Sequence, residues 1–156
     1  PFLETVTRVN TSTLSLVLLT IGVAGFIGTT AIGMFLDLNF YRTMIGIPIL
    51  MTVIAVVLTI FGDDLSAVAI LLGVWGLVAT AAPVGWWSWL AKTLPSDAEA
   101  GGGLMVAVVQ LAIALGSTMG GLLFDASGYR STFFASAFVL LLAASLTFLT
   151  ARSQTL

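Results

Sequence analysis

Five stretches of about 20 or more mostly apolar residues follow one another along this chain, and every charged side chain falls in a connection between them or near a terminus. That pattern leaves few folds open. A helix of roughly 20 apolar residues spans the hydrocarbon of a bilayer, and a charge at the bilayer centre is costly, so each run reads as a transmembrane helix. A soluble domain carries about 25% charged residues, whereas here 59% of the 156 residues are hydrophobic and 8% are charged. The sequence predicts an all-α membrane protein with spans at about 14–36, 43–61, 65–90, 102–124 and 131–151.

Local signals set the ends of these runs. Thr11, Ser12 and Thr13 are placed to cap the first. Leu38 to Arg42 reads as a tight connection, and Asp63 and Asp64 after Gly62 mark a turn in water. Pro83 is expected to kink the third span, which finishes with Trp86, Trp87 and Trp89, side chains suited to headgroup level. Ser96-x-x-Glu99 has the form of a capping box that starts the next helix near Asp97. The segment Pro1 to Glu4 reads as the tail of an earlier element, and Arg152 to Leu156 as a short tail.

Several chemistries are excluded by composition. The chain has no cysteine and no histidine, so thiol chemistry, disulfides and histidine-ligated metals are absent from it. No nucleophile–base pair or metal set is apparent, and the expectation is a protein that is not an enzyme and uses no cofactor. Five Lys and Arg against seven Asp and Glu, without a basic block or a polybasic cluster beside a span, indicate neither nucleic acid nor anionic lipid as a partner.

Residues 28–37, GTTAIGMFLD, and 116–125, GSTMGGLLFD, end the first and fourth spans alike. Gly28 and Gly116, Thr30 and Thr118, Gly33 and Gly121, Asp37 and Asp125, and Arg42 and Arg130 correspond at one constant offset. Three crossings separate the copies, so they fall on opposite sides of the membrane, which makes the repeat inverted. Inverted three-helix repeats nested in six-helix halves are a transporter construction, and on that reading one helix precedes Pro1.

Gly33-x-x-x-Asp37 with Arg42 resembles a degenerate copy of the loop signature of the major facilitator superfamily, departing from it at Leu38 and Phe40. Gly120 to Arg130 resembles the junction of the eleventh and twelfth helices in the drug:proton antiporter branch. The stretch Ala100 to Ala112 is similar to efflux permeases of the arabinose-efflux-like and purine-ribonucleoside groups. The resemblance implies the carboxy-terminal half of such a transporter, the end of helix seven plus helices eight to twelve, without its amino-terminal half. It implies a multi-pass protein of the bacterial cytoplasmic membrane, with Asp37 inside and Asp125 outside. A small organic solute, a drug, sugar or nucleoside-like molecule, would leave by alternating access in exchange for protons, whose binding group would lie in the other half. An uptake permease and a self-contained membrane scaffold are the alternatives.

Asp37 and Asp125 close helices at the end where the macrodipole is negative, so each calls for a partner, either Arg42 or Arg130 or an opposing helix start. Both aspartates read as gating latches or as solvated loop acids. Ala24-x-x-x-Gly28, Gly25-x-x-x-Thr29-x-x-x-Gly33 and Ala112-x-x-x-Gly116-x-x-x-Gly120 lay small residues along one helix face, a device for close helix approach. Candidate substrate contacts are Trp75, Thr80 and Gln110. Trp75 is the first choice, because the matching helix of the family lines the cavity; a lipid-facing or interhelical tryptophan is the alternative.

Overall fold

In a computed structural model, which describes residues 1–153, the chain is helical almost throughout. The elements are α1 (Phe2–Thr5), α2 (Thr11–Phe61), α3 (Leu65–Ala79), α4 (Ala81–Thr93) and α5 (Ala98–Ser153). Among the described residues three helical stretches are long and apolar enough to cross a membrane: Thr11–Phe61, Leu65–Thr93 and Ala98–Ser153. A straight helix of 51 residues would reach about 75 Å, far beyond a hydrocarbon layer of roughly 30 Å.

Neither of the two longest helices is straight. Asn39 (φ −160°, ψ 82°) interrupts α2, and Gly128 (φ 78°, ψ 175°) interrupts α5. Ile27 and Leu50 line one cavity of about 390 Å³, although along a straight helix they would stand roughly 35 Å apart. Residues 11–38 and 40–61 therefore form an antiparallel hairpin. Thr43 Oγ1 staples its bend by donating to the carbonyls of Phe35 (3.1 Å) and Asn39 (3.0 Å). At the open end, Thr7 Oγ1 donates to the Gly62 carbonyl at 2.8 Å. The α5 bend is less buttressed, with Thr132 Oγ1 reaching the Gly120 carbonyl at 3.4 Å.

These helix limits correct the expected boundaries. The connections at 38–42 and 125–130 shrink to one non-helical residue each, because helical dihedrals persist on both sides of the bend. The third run is two helices that part at Thr80, ahead of Pro83. Proline clashes with the carbonyl four residues before it, here that of Ala79, so the disturbance falls one turn upstream; the Thr80 N–H to Gly76 O bond is stretched to 3.4 Å. Asn10, not Thr11 to Thr13, caps α2 through Oδ1 to Thr13 N (2.8 Å). Asp64 Oδ1 caps α3 at Ser66 N (2.8 Å). Ser96 Oγ donates to Asp97 Oδ2 (3.0 Å) rather than closing the expected box. Residues 154–156 of the tail lie outside the described residues.

Packing orders the two ends of the bundle. Trp89 of α4 meets Tyr41 beside the Asn39 bend, and a Cβ on Gly101 would lie 3.1 Å from Leu90. This end therefore carries Asp37, Arg42, Lys92, Asp97 and Glu99. Phe2 and Tyr129 both flank Gly62, and the rings of Phe2 and Phe133 meet edge to face at 5.0 Å. The Gly128 bend therefore belongs to the opposite end, with Arg8, Asp63 and Asp64. Between the ends run two clusters of buried side chains: Ile32, Leu36, Met44, Ile47, Val78 and Ala81, and Ile54, Leu58 and Val68. Elsewhere the surface is apolar, with Phe26, Met34, Leu104 and Leu111 among the exposed side chains.

Candidate functional site

A cavity of about 770 Å³ opens between α4 and the first arm of α5, with Met51 of α2 contributing. Two features shape it. Gly101 and Gly102 bring α5 onto Leu90, Leu94 and Trp87, where an added Cβ would sit 3.1 to 3.3 Å from the nearest side-chain atoms. Beyond that pinch, Met105, Val106, Val109 and Gln110 face Pro83, Trp86 and Trp87 across the gap. Its size suits a small organic ligand, since such sites usually measure about 300–1,000 Å³.

No charged side chain lines this cavity. The indoles offer flat apolar faces with one N–H donor each, and the Gln110 carboxamide both donates and accepts. Such a set of groups can offer an uncharged planar molecule stacking faces and one hydrogen-bonding edge. A charged solute would meet no counter-charge here. The α2 cavity has no such handle: its lining is almost wholly apolar, and the Thr43 hydroxyl is committed to Phe35 and Asn39.

The three candidate substrate residues do not converge. Gln110 lines the larger cavity. Trp75 packs against the Ile54, Leu58 and Val68 cluster. Thr80 sits at the α2–α3 crossing, where its hydroxyl donates to the carbonyls of Gly76 (2.8 Å) and Gly25 (3.0 Å). Met51 and Met105 were not singled out from the sequence, and Trp86 and Trp87 were read as anchors at headgroup level. Pro83, Trp86 and Trp87 stand three and four residues apart on one helical face, and that spacing is the one sequence signal that groups them.

Asp37 and Asp125 are exposed at opposite ends of the bundle. Among the described residues no Lys or Arg comes within 4 Å of either; Arg130 instead turns its Nε to Tyr129 Oη at 3.3 Å. Gly33 and Gly121 have nothing within 4 Å of where a Cβ would stand. The small-residue stripes divide sharply. A Cβ on Gly28 would strike the Leu77 backbone, and one on Gly76 would come within 2.5 Å of the Ile21 carbonyl oxygen. Gly25 lies against Thr80. Gly116, by contrast, faces nothing, and Gly120 only the Thr132 methyl at 3.8 Å.

Comparison with known proteins agrees with a membrane transport setting. The chain is 63% identical over 154 residues, 99% of its length, to the transcription regulatory protein OpdE of Pseudomonas aeruginosa, of which it covers 38%. It is 38% identical over 133 residues, 85% of its length, to the purine ribonucleoside efflux pump NepI of Escherichia coli, of which it covers 34%. The pump of the same name from Salmonella enteritidis is 36% identical over 131 residues. No family model and no solved structure matches. The chain spans about a third of the length of these relatives, and over that third it is an all-helical, membrane-type chain similar to a bacterial nucleoside efflux pump.

Proposed function

We propose that the chain works as the carboxy-terminal half of a major facilitator exporter in a bacterial cytoplasmic membrane. It moves a small uncharged solute with a planar base, nucleoside-like in character, outward in exchange for protons. The likeness to the purine ribonucleoside efflux pump carries this reading. The uncharged cavity of Trp86, Trp87 and Gln110 supports it by offering stacking faces and one amide edge.

Residues 11–38, 40–61, 65–93, 98–127 and 129–153 each cross the bilayer on this reading, as two inverted units completed by a preceding helix. The opposite placement of the Asp37 and Asp125 ends supports that arrangement. Alternating access follows from rocking of this half against the rest of the transporter. The Gly116 and Gly120 stripe is the surface that meets the other half, and each aspartate docks on an opposing helix start when its face is shut. No carboxylate lies deep in an apolar arm, so the proton-carrying group belongs to the remainder of the transporter. The chain itself performs no covalent chemistry.

Transport in cells producing the complete transporter that contains this half tests this. Expression should lower accumulation of a radiolabelled purine nucleoside, and Gln110→Ala should raise KM for export severalfold with little loss of protein in the membrane. Failure to export any nucleoside, or an unchanged KM in Gln110→Ala, overturns the reading. The likeness to a protein named as a transcription regulator favours a second reading, a membrane protein that binds the same solute and reports on it. Direct DNA contact is disfavoured, because Arg8, Arg42, Lys92, Arg130 and Arg152 are dispersed over both ends and form no basic face. Solute binding without flux, with altered transcription in a deletion strain, would select that reading.

A further inference from the structure

At the Asn39 end, α2 and α4 enclose a second cleft, of about 340 Å³, walled by Phe40, Tyr41, Trp89, Lys92 and Thr93. Its walls are fixed. Trp89 Nε1 donates to Tyr41 Oη at 3.1 Å, and the rings of Phe40 and Tyr41 meet edge to face at 5.2 Å. Thr93 Oγ1 donates to the Trp89 carbonyl at 2.8 Å. Lys92 brings the one charge of the lining, and among the described residues no carboxylate lies within 4 Å of its ammonium. Asp37, Asp97 and Glu99 share this end of the bundle but not the cleft lining.

We propose that this cleft binds the phosphate of an anionic phospholipid headgroup. Three observations combine. Tyrosine and tryptophan rings concentrate at the level where hydrocarbon gives way to headgroups, and here Trp89 stands at the end of the third apolar run and Tyr41 between the first two. Basic pockets between helices at that level hold anionic headgroups, each Lys or Arg contributing ~1 kcal/mol. Leu38, one residue before the bend, is 73% exposed, and Met34 and Phe35 one turn earlier are exposed too, which leaves apolar surface at this end of α2 for acyl chains. A choline headgroup would set its own cation beside Lys92, so the cleft favours lipids such as phosphatidylglycerol. The rings of Trp86 and Trp89 meet edge to face at 6.0 Å, which places the lipid one aromatic contact away from the larger cavity.

Native mass spectrometry of the protein in neutral detergent tests this, with added phosphatidylglycerol, phosphatidylcholine or inorganic phosphate. The wild type should hold one phosphatidylglycerol about fivefold more strongly than phosphatidylcholine. Lys92→Gln should bring that ratio close to one, Lys92→Arg should keep it, and Arg8→Gln at the opposite end should leave it unchanged. Circular dichroism of each variant separates lost binding from lost fold. Equal preference in wild type and Lys92→Gln overturns the proposal. So does an inorganic phosphate adduct with the same dependence on Lys92, which would make the ligand a soluble anion.

Discussion

Gly28→Ala isolates the contact that holds the α2 hairpin to α3. The new methyl would overlap the Leu77 carbonyl oxygen and lie 2.8 Å from its carbon and 3.1 Å from its Cα. All three are backbone atoms, so no rotamer change relieves the clash and the two helices must part by about 1 Å or more. A gap of 0.5–1 Å forfeits a quarter to a half of each dispersion contact across it, and overpacking of this kind costs about 1–3 kcal/mol. Parting the helices also stretches the Thr80 bond to the Gly25 carbonyl, now 3.0 Å, for a further ~0.6 kcal/mol as such bonds average in membrane proteins. Alanine recovers about 1 kcal/mol of helix propensity. The net expectation is a loss of about 0.5–2.5 kcal/mol. Gly33→Ala is the matched control, because nothing stands within 4 Å of its Cβ; it should be neutral or stabilising by up to about 1 kcal/mol. Reversible unfolding in mixed micelles, followed by circular dichroism, measures both. A Gly28→Ala variant as stable as wild type, or a Gly33→Ala variant equally damaged, would refute the packing account.

Gly128→Ala should cost about 1–3 kcal/mol in the same assay, since its φ of 78° disfavours any side chain and nothing sterically crowds the site. Leu58→Ala should cost about 2–5 kcal/mol, its side chain being fully buried against Ile54 and Val68. Gly116→Leu should leave the stability of this chain unchanged, because its Cβ site is open, yet reduce export at least tenfold if that stripe meets the other half. Asp37→Asn should alter export and the accessibility of cysteines introduced near residue 37; unchanged values for both would exclude a latch there.

The apolar runs and the exclusion of charge from them were enough to determine a membrane-type, all-helical chain, because the cost of burying charge in hydrocarbon acts residue by residue and needs no tertiary partner. The paired Gly and Asp patterns around 28–37 and 116–125 were legible for the same reason, as local repetition. Tertiary structure decided what those residues touch. Gly28 and Gly116 look alike in sequence, yet one is locked on Leu77 and the other faces open space, since the occupant of a helix face depends on where remote segments fold. Thr80, a candidate solute contact, bonds the Gly25 carbonyl, and Trp86 and Trp87, candidate headgroup anchors, line the larger cavity with Gln110. Those assignments depend on helix crossings between residues far apart in the chain, and no local pattern encodes a crossing. The same holds at the bends, where the sequence marked a connection but only the folded hairpin set Asn39 beside Trp89 and Lys92.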